Sequence, residues 1–245
     1  MSVPHRRVTL FYPMYNEVKS VEPMTRKALQ VMQTVASDFE ILIIDDGSSD
    51  GSEKIADQLA QEDPHIRVIH HQGNKGYGQA LRTGWANASK DIVVYTDCDE
   101  PVDLWLIGEA LDHMEGHDLV IGCRLNRWEG WRRFAYSKVY NGLVRVLFGV
   151  HVRDVNFSFK LIRRDLLQKL NLAAGSVFID GELLAEVMRF HPHIYQMPVQ
   201  YLPRKHGMSH FNSLRAATYT FEEIIAYWQR RRAHAHHTAH VANLG

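Results

Sequence analysis

Short apolar runs alternate with helix-like patterns over residues 8–122. The runs are rich in β-branched residues and are followed by turn-forming residues, which is the pattern of strands. Between the runs, apolar residues recur at spacings of three and four, the pattern of one helix face. The predicted strands lie at residues 8–13, 40–44, 66–69, 92–96 and 118–122. This alternation predicts an α/β fold in which helices cover both faces of a mostly parallel sheet.

The second half of the chain has a less regular pattern. It predicts helices at residues 136–148 and 183–188 and alternating strands at residues 155–162 and 194–202. From Leu214 to Trp228, apolar side chains line one helix face, and a basic, histidine-rich tail follows. We therefore expect one domain over residues 1–212, with a C-terminal amphipathic helix and tail over residues 213–245.

Composition narrows the function classes. The chain has 28 lysines and arginines against 28 aspartates and glutamates, so no overall basic field favours nucleic acid as a partner. Cys98 and Cys123 form no CxxC pair, which excludes a zinc ribbon or disulfide scaffold and fits a reducing cytoplasm. No signal peptide and no run of about 18 apolar residues is apparent. We expect a cytoplasmic protein that touches a membrane, if at all, from the inner face.

Three polar stretches follow directly after predicted strands: PMYNE (13–17), DDGSSDG (45–51) and DCDE (97–100). In open parallel sheets, ligands bind outside the carboxyl ends of the strands. We therefore expect the three stretches to lie together at one edge of the sheet and to form a single site.

Asp97 and Asp99 carry the clearest chemistry. On an extended strand end, residues i and i+2 point the same way, so both carboxylates can face one cation. Mg²⁺ and Mn²⁺ prefer such oxygen ligands and share them with substrate phosphates. A solvated acidic turn is the alternative, but the position after a buried strand favours a metal site. Cys98, between the two aspartates, should point the opposite way, into the core.

Two glycine-containing stretches allow both a structural and a ligand-binding interpretation. DDGSSDG is equally well explained as a turn with a helix cap and as a set of carboxylates that bind a nucleotide. GNKGYGQA, residues 73–80, is a weak match to a dinucleotide-binding loop, but it comes too late in the chain for that motif. Its alternative is a glycine-rich turn before a helix.

Taken together, several motifs resemble glycosyltransferase family 2, which has the GT-A fold. They are PMYNE, IIDDGSSDGS, NKGYGQALRTGWANA, DCD, GCR and DVNFSFKLIRR, in the family's order. The chain is most similar to the dolichol- or polyprenyl-phosphate mannose synthase branch, over roughly residues 8–212. The resemblance implies a Rossmann-like α/β domain that binds a GDP- or UDP-sugar.

The resemblance also implies roles for individual residues. Asp97 and Asp99 would hold Mg²⁺ or Mn²⁺ against the diphosphate, and Arg124 would face the phosphates or the acceptor. Arg204, in a loop bracketed by proline and glycine, would belong to a lid that closes over the donor. The nucleotide pocket would be lined by Pro13, Tyr15, Glu17, Asp46 and Gly76, with Asp46 on the base or ribose.

Three departures from that branch leave the metal geometry and the acceptor open. The branch usually has a glutamine two residues after the second aspartate, where this chain has Pro101, preceded by Glu100. Ser158 replaces a glycine in DVNFSFK, and His210 replaces a lysine in the lid. We therefore interpret the chain as a specialised relative of that branch.

The leading hypothesis is inverting transfer of a mannose- or glucose-type hexose to a polyprenyl or dolichyl phosphate. Asp99 and Arg204 would act in catalysis by stabilising the departing diphosphate. A phosphate acceptor is already anionic, whereas a hydroxyl acceptor needs a carboxylate base. Asp180 is the first candidate for that base and Glu182 the second, and the alternative for Asp180 is a helix N-cap.

Other readings remain open at this point. A family 2 enzyme could act on a hydroxyl of a soluble, cell-envelope or natural-product acceptor, and a non-catalytic nucleotide-sugar-binding module is a remote alternative. The apolar helix at 136–148 and the amphipathic C-terminal helix, with its basic end at Arg230, Arg231 and Arg232, fit peripheral contact with anionic lipid. Packing on the sheet or on a second copy of the chain explains them equally well.

Overall fold

The computed structural model describes residues 5–125, 130–202 and 214–242. The strands are β1 (Arg7–Met14), β2 (Asp38–Asp45), β3 (Ile66–His70), β4 (Ile92–Thr96), β5 (Leu119–Arg124), β6 (Phe159–Arg163) and β7 (Ile194–Val199). The helices are α1 (Val21–Val35), α2 (Ser52–Glu62), α3 (Tyr77–Asn87), α4 (Leu106–His113), α5 (Gly130–Phe148), α6 (Arg164–Leu167), α7 (Phe178–Val187) and α8 (Leu214–Ala242). None of these helices is both long enough and apolar enough to cross a membrane.

Within these residues the strands form one seven-stranded sheet in the order β3-β2-β1-β4-β6-β5-β7. Strand β1 is parallel to β2 and β4, β2 is parallel to β3, and β5 is parallel to β7. Strand β6 alone in this sheet runs opposite to its neighbours, β4 and β5. The predicted α/β fold with a mostly parallel sheet is therefore confirmed.

Helices cover both faces of the sheet, and each face has its own core. The first core takes apolar side chains from α1, α2 and α4, and the second takes them from α3, α5, α7 and α8. Ile224 and Tyr227 of α8 are buried in the second core. The proposed boundary between residues 212 and 213 lies outside the described residues and stays a prediction.

Two strands are shorter than their alternating patterns predict. Strand β6 begins at Phe159 rather than at residue 155, because Phe159 lies opposite Thr96, the last residue of β4. Strand β7 ends at Val199 rather than at residue 202, because Val199 lies opposite Arg124, the last residue of β5. A strand ends where its partner ends, which a pattern read from one segment does not show.

Three helices are longer than predicted. Helix α7 begins at Phe178, five residues before the predicted start at residue 183. Helix α5 begins at Gly130 rather than at residue 136. Helix α8 continues to Ala242, through the basic and histidine-rich stretch that we expected to lie outside the helix.

We predict that Gly84→Ala destabilises the chain. A Cβ atom at Gly84 would lie 2.2 Å from carbon atoms of the Phe11 ring, and that ring is itself packed against Trp85 and Tyr95. Overpacking of this kind costs about 1–3 kcal/mol. Urea titration should show the loss as a lower free energy of unfolding.

The matched control is Gly142→Ala, in the interior of α5, where the new methyl group meets no heavy atom within 4 Å. This change should leave stability equal or raise it by up to about 1 kcal/mol, because alanine has the higher helix propensity. Equal effects of the two substitutions would contradict the close packing of α3 on β1.

Candidate active site

The loops after β1 and β2 are joined by hydrogen bonds. The backbone N–H of Asn16 donates to Ser48 Oγ at 3.0 Å, and the N–H of Ser49 donates to Asn16 Oδ1 at 2.9 Å. The N–H of Glu17 donates to Ser52 Oγ at 2.8 Å. The first two polar stretches therefore form one surface, as predicted, with Asn16 in a left-handed conformation at φ 55°.

Asp46, the first residue after β2, holds the glycine-rich loop that precedes α3. Its buried carboxylate accepts hydrogen bonds from the backbone N–H groups of Lys75 and Gly76, both at 2.8 Å. His71 Nδ1 lies 2.7 Å from the same carboxylate. The structure thus brings Asp46 and Gly76 together, and the contact of Asp46 with a base or ribose stays a prediction.

Asp97 follows β4 and is held from two sides. The hydroxyl of Tyr77, the first residue of α3, donates to Asp97 Oδ1 at 3.3 Å. The hydroxyl of Ser158 donates to Asp97 Oδ2 at 2.6 Å. Ser158 reaches Asp97 because β6 is antiparallel, so that its start lies beside the end of β4. A carboxylate offers about four lone-pair sites on its two oxygens, so acceptance of these hydrogen bonds is compatible with coordination of a metal ion.

Cys98 links the first and third polar stretches. Its side chain is buried in the first core, as predicted from its place between the two aspartates. Burial raises the pKa of the Cys98 thiol well above its ordinary value, and the nearby carboxylates of Glu17, Asp99 and Asp97 raise it further. Because β1 is parallel to both β2 and β4, the three stretches follow the same edge of the sheet.

Tyr77 is a site residue that the sequence interpretation missed. Burial raises the pKa of its hydroxyl well above the ordinary value, and the carboxylates of Asp97, Asp180 and Asp99 add to the effect. The hydroxyl therefore lies among three acidic groups and remains a neutral hydrogen-bond donor near neutral pH. Its position directly after Gly76, at the start of a helix, is the one sequence signal that could have indicated it.

Behind Asp97 lies a buried ion pair between Lys160 and Asp180. Lys160 Nζ is 2.6 Å from Asp180 Oδ1, 2.8 Å from the Tyr95 hydroxyl and 2.6 Å from the Phe157 carbonyl oxygen. Lys160 is 0% exposed and Asp180 is 1% exposed. The Tyr95 hydroxyl also donates to Asp180. A buried charge of either sign is tolerated only when it is paired in this way.

The geometry bears on both candidate bases. Asp180 is the third residue of α7, whose N-cap is Val177, so the helix-cap alternative for Asp180 is wrong. Glu182 accepts the backbone N–H groups of Ala173 and Ala174 at 2.8 and 2.7 Å, and burial raises the pKa of its carboxyl group. Both carboxylates thus have structural partners, and a role for either as a base stays a prediction.

Arg124 lies at the end of β5, in a cluster with Asp154. Its guanidinium donates to the two Asp154 carboxylate oxygens, from Nε at 2.7 Å and from Nη2 at 3.0 Å. The same guanidinium lies over the rings of Phe157 and Tyr201, 5.4 and 5.7 Å from their centroids. This ion pair fixes the side chain near the start of β6, and its contact with phosphates or an acceptor stays a prediction.

The remaining predicted site residues belong to the nucleotide pocket, the metal site and the lid. Pro13 is the penultimate residue of β1 and is partly exposed. Glu100, at φ 55°, forms an ion pair with Lys27 of α1, so its carboxylate has a protein partner where the sequence left a metal contact open. Arg204 and His210, with the rest of the predicted lid, lie outside the described residues.

Asp97 and Asp99 fit a magnesium or manganese ion that is shared with a ligand. Both supply hard carboxylate oxygens. Among the residues that the structure describes, no group of three or more His, Cys, Asp or Glu side chains could enclose a metal ion. Two carboxylates suit an ion whose remaining ligands are water and phosphate oxygens.

A mostly parallel α/β sheet with polar side chains beyond its carboxyl edge is the arrangement in which open α/β proteins bind their ligands. The model of the family described as Glycosyl transferase family 2 matches residues 9–170. The chain belongs to this family. It is 30% identical, over 80% of its length, to the glycosyltransferase AglD of Haloferax volcanii, and it spans 33% of the length of that relative.

Solved structures show the same GT-A fold. The chain is similar to glucosyl-3-phosphoglycerate synthase from Mycobacterium tuberculosis in complex with Mn²⁺, UDP and phosphoglyceric acid, with a TM-score of 0.70 and 21% identity. That match covers 90% of this chain and 76% of the other. The mannosyltransferase of Pyrobaculum calidifontis, in complex with GDP-Man and Mn²⁺, matches with a TM-score of 0.63 and 20% identity, over 83% of this chain and 59% of the other.

We predict that Lys160→Met lowers the free energy of unfolding by about 3–5 kcal/mol, because it leaves the Asp180 charge buried without its cation. Chemical denaturation measures the change. The matched control is Lys54→Met on α2, whose side chain is exposed and whose loss should change stability by less than about 0.5 kcal/mol.

A double variant separates the charge from the packing. Lys160→Met combined with Asp180→Asn removes both charges and keeps an acceptor for the Tyr95 hydroxyl, so it should recover part of the lost stability. If Lys160→Met is no more destabilising than Lys54→Met, the pair does not form as described.

Proposed function

We propose that this chain is a metal-dependent, inverting hexosyltransferase. It takes a mannose- or glucose-type sugar from a GDP- or UDP-sugar and transfers it to a polyprenyl or dolichyl phosphate. The observation that carries the proposal is the position of four acidic residues just after the carboxyl ends of the parallel neighbours β1, β2 and β4: Glu17, Asp46, Asp97 and Asp99. Structures of the same fold, in complex with Mn²⁺ and UDP or GDP-Man, support it.

Different residues have different roles in donor binding. Asp97 and Asp99 would hold Mg²⁺ or Mn²⁺, which supplies positive charge against the diphosphate as negative charge develops there. Tyr77 and Ser158 orient the Asp97 carboxylate through their hydroxyl groups. Asp46 fixes the loop at Gly76 beside the same edge.

The partners of the two candidate bases favour an anionic acceptor. Asp180 is ion-paired with Lys160, and Glu182 accepts two backbone N–H groups. A hydroxyl acceptor would need one of these carboxylates to give up its partners and take a proton. A phosphate acceptor arrives with its charge and needs no such step, which supports a lipid phosphate over a sugar or glycerate hydroxyl.

An apolar surface on α5 supports a lipid acceptor. Tyr136, Val139 and Val146 are 48%, 72% and 82% exposed, and their spacings of three and seven place them on one helix face. An exposed apolar stripe of this kind suits contact with a membrane surface. A second copy of the chain is the other occupant that the surface allows.

We predict that one nucleotide sugar raises the melting temperature of the chain only when Mn²⁺ is present. The probes are GDP-mannose, UDP-glucose and UDP-GlcNAc, each with and without Mn²⁺. At about 100 times the dissociation constant, such a ligand stabilises the folded state by about 2.7 kcal/mol. Asp99→Ala should abolish the shift, because it removes one carboxylate ligand.

The matched control for that screen is Asp91→Ala. Asp91 is exposed and precedes β4, at the end of the strand opposite to Asp97 and Asp99, so its variant should keep the metal-dependent shift. Stabilisation that needs no metal, and that survives Asp99→Ala, would contradict a metal-bridged donor.

We also predict that, with the donor found in this way, a short-chain polyprenyl phosphate is glycosylated whereas the polyprenol of the same length is not. Product formation is followed by mass spectrometry. Transfer to the polyprenol, or to phosphoglycerate, would favour the hydroxyl alternative. Nucleotide binding without turnover on any acceptor would favour the non-catalytic module.

The same assay tests the surface on α5. Combining Val139→Glu with Val146→Glu should lower transfer to polyprenyl phosphate in phospholipid vesicles. Transfer to the short-chain acceptor in solution should be unchanged, because neither residue belongs to the site. Equal rates with vesicles for the wild type and the variant would contradict the membrane contact.

A further inference from the structure

The loop before α7 is held by carboxylates from two helices. Four consecutive backbone N–H groups, those of residues 173–176, each donate to a glutamate. Glu182 of α7 accepts the first two. Glu223 of α8 accepts the N–H of Gly175 at 2.7 Å through Oε1 and that of Ser176 at 3.1 Å through Oε2. We call residues 173–176 the clamp loop.

The clamp loop lies directly against the glycine-rich loop of the candidate donor site. The N–H of Gly78 donates to the Gly175 carbonyl oxygen at 3.0 Å. A Cβ atom at Gly78 would lie 2.5 Å from the Ala174 carbonyl oxygen, and one at Gly76 would lie 3.4 Å from that of Gly175. The two backbones therefore touch, and we expect movement of the clamp loop to be transmitted to the segment at residues 76–78.

Glu223 joins the clamp loop to α8 by hydrogen bonds. A cavity of about 390 Å³ lies where the clamp loop faces α8, lined by Ala173, Ala174, Phe178, Glu223, Ala226, Gln229 and Arg230. Side-chain packing is therefore incomplete there, and Glu223 spans the gap with two charge-assisted hydrogen bonds. The position of Glu223 is in turn set by its neighbour Ile224 and by Tyr227, which are buried in the second core.

We propose that Glu223 is a positioning residue for donor binding. It holds the clamp loop against residues 76–78, and Asp46 holds the same glycine-rich loop from the other side. Helix α8 thereby controls the shape of the nucleotide pocket although no residue of α8 belongs to the three strand-end stretches. This inference rests on the proposed function for the identity of the ligand. The positioning of the glycine-rich loop by Glu223 does not depend on which ligand binds.

The test compares Glu223→Gln with Glu222→Gln. The first change keeps the side-chain shape but turns an amide nitrogen toward one of the two N–H donors. The second alters the adjacent, exposed glutamate and is the matched control. Without ligand, hydrogen–deuterium exchange of Glu223→Gln should be about three- to tenfold faster in peptides covering residues 172–177 and also residues 73–78. Glu222→Gln should exchange like the wild type.

A binding measurement on the same proteins gives the second readout. Calorimetry with UDP and with GDP, each with Mn²⁺, should show about three- to tenfold weaker binding in Glu223→Gln at a temperature well below its melting point. Its melting temperature should fall by only about 2–4 °C, so that the variant stays folded during the measurement. Faster exchange confined to residues 172–177, or nucleotide affinity equal to the wild type, would overturn the inference. If the wild type binds neither nucleotide, the proposed function fails, and exchange at residues 73–78 alone decides whether Glu223 controls that loop.

Discussion

The antiparallel course of β6 is the constraint on which the candidate site depends. It sets Phe159 opposite Thr96 and Lys160 opposite Tyr95, so the start of β6 lies beside the end of β4. Ser158 lies in the turn just before β6, and Lys160 is the second residue of the strand. Ser158 can then bond to Asp97, and Lys160 lies between Tyr95 and α7. A parallel β6 would carry these side chains to the opposite edge of the sheet.

That arrangement makes the core beneath the acidic edge polar. Removal of a lysine and an aspartate from water is costly, and their attraction offsets the cost only with good geometry and further hydrogen bonds. Both conditions hold for Lys160 and Asp180, because Tyr95 and the Phe157 carbonyl oxygen complete the set. An apolar pair could fill the same space. We therefore interpret Lys160 and Asp180 as residues that fix the positions of the polar groups around Asp97, rather than as a source of stability.

Much of the fold followed from local pattern, whereas much of the site did not. The alternation over residues 8–122 revealed β1 to β5 and their helices, because each apolar run reports its own burial. The partners of Asp97 depend on pairing between distant strands, and neither the direction of β6 nor its register is visible in DVNFSFKLIRR. The role of Glu223 is harder still to predict from sequence, because its hydrogen-bond partner Gly175 is 48 residues away along the chain. Asp97 and Asp99 could be proposed from the sequence because their residue type and their position after a buried strand suffice, and their binding of a metal ion stays a prediction.

The central claim is that Asp97 and Asp99 bind one metal ion together with the diphosphate of the donor. Electron–nuclear double resonance on Mn²⁺ bound with UDP or GDP tests it most directly, because phosphorus coupling reports a phosphate oxygen on the metal. The account predicts clear ³¹P coupling in the wild type, and loss of this bound Mn²⁺ in Asp97→Asn and in Asp99→Asn. Mn²⁺ that binds without ³¹P coupling, or equally well in both variants, would contradict it.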